Sequence, residues 1–165
     1  MPGIVIRQAQ GANDIAAVRR LMLEYGDFLA NNPSGASICL GQAYEQELAT
    51  LPEGYITILL AEVDGAPAGC VALRVIQRTE HACEVKRLWV GNGFRGLRLG
   101  RLLMEKAIEW TTSEGFESMY LDSVPAAMPE ANRLYASLGF SPVERYNQNP
   151  VANVEFFRKS LANVR

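Results

Sequence analysis

The sequence has very little histidine and cysteine. His81 is the only histidine, and the three cysteines are Cys39, Cys70 and Cys83. An odd, widely spaced cysteine set has neither metal-ligand spacing nor a disulfide framework. It fits reduced thiols in a cytoplasmic protein, and no metal site is expected. Long apolar runs are also missing. Stretches such as Ile58 to Ala61 are far too short to span a bilayer. The first ten residues, MPGIVIRQAQ, lack the apolar core of a secretory signal. Excess charge of one sign is absent as well. With 16 Lys and Arg against 18 Asp and Glu, the net charge is −2. That balance gives no general attraction to nucleic acid or an anionic membrane surface, so an anion site must be a local basic patch.

What the sequence has is an ordinary globular composition, 48% hydrophobic and 21% charged over 165 residues. That is enough for one domain with a real core. No repeat, linker or low-complexity tract divides residues 1–165. Ile4 to Ile6 reads as a first strand. Asn13 or Asp14 is a plausible N-cap for a helix carrying Ile15, Val18, Leu21, Met22, Tyr25 and Phe28 on one face. Asn31 to Ser37 has loop chemistry, and Gln42 to Ala49 reads as a short helix. Strands are expected at Tyr55 to Val63, Pro67 to Val75 and His81 to Val90, the first two joined by the Asp64-Gly65 turn.

After this antiparallel meander the order changes. A helix opens at Leu97 or Leu99 and ends near Gly115. A strand follows at Ser118 to Ser123. A helix with Pro129 at its first position and Gly139 after its end comes next, then a last strand at Val154 to Phe157. The expectation is an α/β chain of the α+β mixed-sheet kind. It has a mostly antiparallel central sheet of about six or seven strands, with helices on both faces.

The stretch WVGNGFRGLRLGRLL, Trp89 to Leu103, carries the strongest chemical signal. A glycine loop between a strand and a helix aims unpaired amides and a positive dipole end at one point, which suits phosphate. Arg95, Arg98 and Arg101 add guanidinium groups. Two templates fit. Gly91, Gly93 and Gly96 match the dinucleotide pattern G-x-G-x-x-G, with Asp122 as its later acid. That reading wants the motif on an early strand of a repeated β-α-β sheet, and here a meander comes first. Arg95 to Gly100 nearly matches the Arg/Gln-x-x-Gly-x-Gly loop that binds acetyl-CoA. A plain strand-to-helix turn with solvated arginines is the third possibility.

Three segments resemble the GNAT family of N-acetyltransferases: CEVKRLWV (Cys83 to Val90), FRGLRLGRLL (Phe94 to Leu103) and ANRLYASLGF (Ala131 to Phe140), in the family's order and spacing. ELATLP (Glu47 to Pro52) and RYNQNP (Arg145 to Pro150) look like one of its bacterial subgroups. The resemblance implies a GNAT-like fold in which the third meander strand and the strand at Ser118 to Ser123 splay apart around acetyl-CoA. The pyrophosphate would sit on the backbone of Arg95, Gly96, Leu97, Arg98, Leu99, Gly100 and Arg101, and the pantetheine would pair with Leu88 to Val90. Arg98 replaces the family's middle glycine, which is acceptable only at an ordinary φ. Met128 stands where many members carry a cofactor-contacting asparagine, with Asn132 as the substitute.

Acetyl transfer to an amine requires a deprotonated amine, an oxyanion donor and help for the leaving thiolate. The resemblance assigns the base to Glu84, placed by alternation on the same face as Lys86 and Leu88. It assigns the acid to Tyr135 and the oxyanion donor to an amide near Leu88. Glu84 equally fits an ion pair with Lys86 or Arg87, and Tyr135 a core position. His81 beside a turn reads as a surface residue, and Cys83 as a packed thiol. The acceptor, a small-molecule amine in preference to a protein lysine, would meet Glu24, Tyr25, Asp27, Tyr146 and Asn147. A non-catalytic acyl-CoA sensor on the same fold is the alternative. No interface stripe decides between a monomer and a homodimer.

Overall fold

The second meander strand shows why this chain forms a sheet covered on both sides. In the computed structural model, which describes residues 2–32 and 41–161, β2 (Thr57–Val63) is buried at every position but one. A strand with two covered faces reads as a continuous apolar run rather than an alternation. Its odd and even residues enter different cores. Leu59 and Ala61 join one cluster, Ile58 and Leu60 the other.

The remaining elements in chain order are β1 (Ile4–Gln8), α1 (Gly11–Asn31) and α2 (Gly41–Ala49), then β3 (Ala66–Ile76) and β4 (Ala82–Val90) after β2. A single 3-10 turn covers Asn92–Phe94. Then come α3 (Leu99–Ser113), β5 (Ser118–Ser123), α4 (Pro129–Ser137), β6 (Ser141–Val143) and β7 (Glu155–Ser160). The strands make one sheet in the order β1-β2-β3-β4-β5-β7-β6. Every pairing is antiparallel except β4 with β5. This is the expected mixed, mostly antiparallel sheet, and it rules out the doubly wound parallel sheet of the dinucleotide template.

Helices cover both faces. Leu103, Met104 and Ala107 of α3 and Tyr135 of α4 pack with Val71, Leu73, Cys83 and Val85. Val18, Leu21 and Met22 of α1 and Tyr44 and Leu48 of α2 pack with Cys70, Ala72 and Trp89 on the other side. Removing each such side chain from water contributes roughly 1.5–3 kcal/mol. The β2–β3 turn has φ of 50° at Asp64 and 84° at Gly65, the left-handed pair of a tight hairpin.

Several expectations are corrected. The cap of α1 is Gln10, with φ −140° and no capping side chain, rather than Asn13 or Asp14. Asp14 lies inside the first turn, where its Oδ2 accepts the Gln10 amide at 2.8 Å. It also takes two hydrogen bonds from Arg7, at 2.6 and 3.0 Å, and Arg7 holds Glu62 as well. β2 begins at Thr57, because the chain through Tyr55 is still turning on the Pro52 carbonyl. β6, only three residues long with Pro142 at a sheet edge, gives no periodic signal. The last strand runs to Ser160. Cys39 and most of the Asn31 to Ser37 loop lie outside the described residues. No helix among the described residues is long and apolar enough to cross a membrane.

Gly69 is the tightest point of the sheet. A Cβ there would stand 2.9 Å from the Trp89 carbonyl oxygen and 3.1 Å from Leu103 Cδ1. The backbone oxygen has no room to yield. Gly69→Ala is therefore expected to destabilise the protein by about 1–3 kcal/mol. Denaturant unfolding checks this, and unchanged stability would show that β3 and β4 can part at no cost.

Candidate active site

β4 and β5 pair only at Ala82↔Ser118, Cys83↔Met119 and Glu84↔Tyr120. Beyond Glu84 the two strands separate. β4 is also irregular here. Its register against β3 moves from Ala72↔Lys86 to Cys70↔Trp89, so Arg87 and Leu88 together oppose Val71. This is a bulge, and Arg87 has the left-handed φ of 60°.

The bulge inverts the alternation. Glu84 and Lys86 face the α1/α2 side, where Arg74 and Ala72 stand opposite them. Leu88 and Val90 turn to the α3/α4 side, and Trp89 takes the α1/α2 side. The expectation that Leu88 shares a face with Glu84 fails for this reason. Arg87 is fixed by Glu47 of α2, which takes its Nε at 2.9 Å and Nη2 at 2.8 Å, and its guanidinium covers the Tyr44 ring.

The splay opens into two cavities. The larger, about 780 Å³, runs along Leu88 to Val90, Phe94, Arg95, Gly96, Leu99 and Gly100, with Ala126 to Ala131 and Leu134 opposite. The first helical hydrogen bond of α3 is Leu102 N–H to Arg98 O. Among the described residues, no backbone amide from Arg95 to Arg101 donates to another protein group. A run of unpaired amides at a helix N-terminus is an anion cradle.

Of the residues the resemblance assigns to the cofactor, Leu88, Val90, Arg95, Gly96, Leu99 and Gly100 line the larger cavity. Leu97, Arg98, Arg101 and Asn132 do not. Leu97 packs beside Leu99 and Val63, and the Arg101 guanidinium bonds Ser137 Oγ at 2.6 Å. The Asn132 amide nitrogen ties α4 to β5 through Ser123 Oγ and Met128 O, each at 2.8 Å. Arg98 has φ 61° and ψ 27°, so the ordinary φ it seemed to need is not what the loop adopts. Arg95 lays its guanidinium over Trp89, 5.0 Å from the ring centre.

The smaller cavity, about 100 Å³, sits deeper between the strands and is lined by Tyr25, Lys86, Asp122, Tyr135 and Asn149 among others. Leu88 and Met128 line both cavities, so the two meet at the splay. Tyr135 is 8% exposed, and its hydroxyl has no hydrogen-bond partner among the described residues; the same holds for Tyr25. Burial pushes both phenols above their ordinary pKa, so both are protonated donors at neutral pH.

Glu84 is 0% exposed and lines neither cavity. Its Oε1 accepts Arg74 Nε at 2.6 Å. Its Oε2 accepts the Tyr146 hydroxyl at 2.5 Å and the Asn147 amide at 3.2 Å, with Lys86 Nζ at 3.7 Å. Asp122 shares these partners. Its Oδ2 accepts Asn147 at 2.6 Å and Asn149 at 3.3 Å, and Lys86 Nζ lies 3.4 Å from both oxygens. Burial raises the Asp122 pKa, but Lys86 and the two amides outweigh it and leave it below the usual carboxylate value.

Tyr146 and Asn147, expected at the acceptor, instead serve Glu84, and Glu24 accepts the Trp89 indole N–H at 3.3 Å. His81 is exposed with its ring on Phe116. Burial pushes the Cys70 and Cys83 thiols up to about 12, which leaves no thiolate nucleophile. Among the described residues, no group of three or more His, Cys, Asp or Glu side chains could hold a metal ion.

The family model of the acetyltransferase (GNAT) family matches residues 23–140. An uncharacterized N-acetyltransferase of Schizosaccharomyces pombe is 38% identical over 111 residues, 67% of this chain and 66% of that protein. The chain thus spans just under two thirds of this eukaryotic relative. Among solved structures, a GNAT-family acetyltransferase of Staphylococcus aureus Mu50 shares the fold with a TM-score of 0.75 at 18% identity, over 97% of this chain and 100% of that one. The GNAT-family N-acetyltransferase YhbS of Escherichia coli, solved in complex with CoA, gives a TM-score of 0.67 at 19% identity, over 98% and 83%. The chain belongs to the acetyltransferase (GNAT) family.

A left-handed non-glycine residue costs roughly 1 kcal/mol, which glycine does not incur. Arg98→Gly is therefore expected to stabilise the protein by about 1 kcal/mol, read as a higher Tm. Glu84→Ala leaves the Arg74 and Lys86 charges without their buried partner and is expected to cost about 3–5 kcal/mol. Thermal unfolding of the two variants should move in opposite directions.

Proposed function

We propose that this member of the acetyltransferase (GNAT) family is an N-acetyltransferase. It moves the acetyl group of acetyl-CoA to a primary amine, carried by a small molecule, an amino acid or a peptide, by direct attack. The observation that carries this reading is the row of unpaired amides from Arg95 to Arg101 beside the larger cleft. A pyrophosphate there would satisfy donors that the protein leaves open. Arg95 on Trp89 adds a cation at the same wall. The pantetheine would then run along Leu88 to Val90, and the thioester would reach the junction marked by Leu88 and Met128.

Direct attack is supported by the chemistry available at that junction. The two described cysteines are buried thiols and offer no covalent route. Tyr135 lines the small cavity, its hydroxyl has no partner among the described residues, and it would be the donor to the departing sulfur. The Leu88 amide, next to the bulge, is the donor for the oxyanion. The expected location is the cytoplasm, where acetyl-CoA is available.

Calorimetric titration with acetyl-CoA, CoA and NAD(P) tests the cofactor. CoA compounds are expected to bind and NAD(P) not, with Arg95→Glu weakening the former about tenfold. Binding of NAD(P) but not CoA would end this reading. A thiol-release assay over a panel of monoamines, amino acids and peptide N-termini then tests catalysis. Tyr135→Phe is expected to lower kcat about 100-fold while acetyl-CoA affinity holds. Undiminished turnover would remove Tyr135 from the chemistry.

A further inference from the structure

We propose that the acceptor amine is received by Asp122 of β5, and that Glu84 positions the site without touching the substrate. This rests on the acyl-transfer reading above. Asp122 lines the small cavity at the splay, whereas Glu84 lines none and has no exposed surface. The carboxylates also differ in what they leave free. Both Glu84 oxygens hold a short hydrogen bond from a protein donor, from Arg74 and from Tyr146. Among the described residues, Asp122 Oδ1 has only Lys86, at 3.4 Å, beyond good hydrogen-bond distance. It therefore retains a lone pair for an incoming N–H.

The surroundings of Asp122 fit this task. Lys86 of β4 is the cation nearest to it, with Asn147 and Asn149 on its other oxygen. Tyr25 of α1 and Tyr135 of α4, whose hydroxyls have no hydrogen-bond partner among the described residues, line the same cavity, and Leu88 and Met128 line both it and the larger cleft. An acceptor nitrogen bonded to Asp122 would thus face the thioester carbon across that junction. The rest of the wall mixes apolar side chains, among them Leu29, Val85, Leu121 and Val124, with Arg87 and Ser123.

The step balances. An ammonium acceptor gives one proton to solvent through Asp122. Its nitrogen then bonds the carbonyl carbon, and the C–S bond breaks. Tyr135 delivers a proton to the sulfur and recovers one from the acceptor nitrogen. The products are the amide, CoA and one released proton.

S-(2-aminoethyl)-CoA, which carries an ammonium close to where the acceptor nitrogen would stand, tests the assignment by calorimetry without knowledge of the acceptor. Wild type is expected to bind it more tightly than CoA. Asp122→Asn should erase that preference, about tenfold, and leave CoA affinity unchanged. Glu84→Gln should keep the preference, even where it lowers Tm. Loss of the preference in Glu84→Gln with its retention in Asp122→Asn would overturn the assignment and return the role to Glu84. Equal binding of the two compounds to wild type would overturn it as well. If CoA itself fails to bind, the acyl-transfer reading falls first, so the two failures are distinct.

Discussion

A carboxylate with no solvent exposure sits at the point where the only parallel strand pair ends. Glu84 is the last residue of β4 paired to β5, opposite Tyr120. An ionised group there is sustained only by partners that replace its water, at a cost of several kcal/mol if they are missing. Arg74 comes from β3, Lys86 from β4 itself, and Tyr146 and Asn147 from the segment between β6 and β7. Asn147 and Lys86 also reach Asp122 across the gap. The strands can part without their polar groups going unmet because side chains take over where the backbone ladder stops. Such a network is weak evidence for net stability and strong evidence for a fixed geometry.

Beside it lie two non-glycine residues in the left-handed region, Arg87 in β4 and Arg98 before α3. Each costs roughly 1 kcal/mol, and Arg87 lines the small cavity. The strain at Arg87 is held by the Glu47 pair and the Tyr44 ring, contacts that α2 supplies. What it achieves is a change of face. Without the extra residue, Leu88 and Val90 would face α1 and Trp89 would face α3. The bulge puts the aliphatic pair on the α3/α4 side and leaves the indole for Tyr25, Phe28 and Arg95.

Much of this was legible in the sequence because it is local. The bounds of β5, the Asp64-Gly65 hairpin, Pro129 at the start of α4 and Gly139 after its end follow from periodicity and turn chemistry. The run of open amides at the glycine loop was legible because loop and helix start lie together in the chain. The face of Leu88 was not, since a period of two assumes an unbroken ladder and Arg87 carries no glycine signal for the bulge. The conformation of Arg98 was hidden for the same reason. Asp122 was hidden more deeply. Its partners Lys86, Asn147 and Asn149 lie 25 to 36 residues away in either direction, and only the fold brings them together. The RYNQNP stretch read as a subgroup likeness and its Tyr146 and Asn147 as acceptor contacts, and nothing in it showed that Tyr146, Asn147 and Asn149 bond two carboxylates.

The same contrast between satisfied and open groups separates structure from chemistry in the site. The buried carboxylate, the bulge arginine and the Trp89 indole all have protein partners and form a fixed frame. The amides from Arg95 to Arg101 and the hydroxyls of Tyr25 and Tyr135 have none among the described residues. A polar group that faces a cavity keeps water until a ligand replaces it, and the exchange is favourable only for a ligand that reproduces the bonds. In the proposed reading, the large cleft takes an extended anion along the amides, and the small cavity a group that accepts from phenols and donates to Asp122. A thioester carbonyl meeting an amine would fit the second description, in the space that Leu88 and Met128 share.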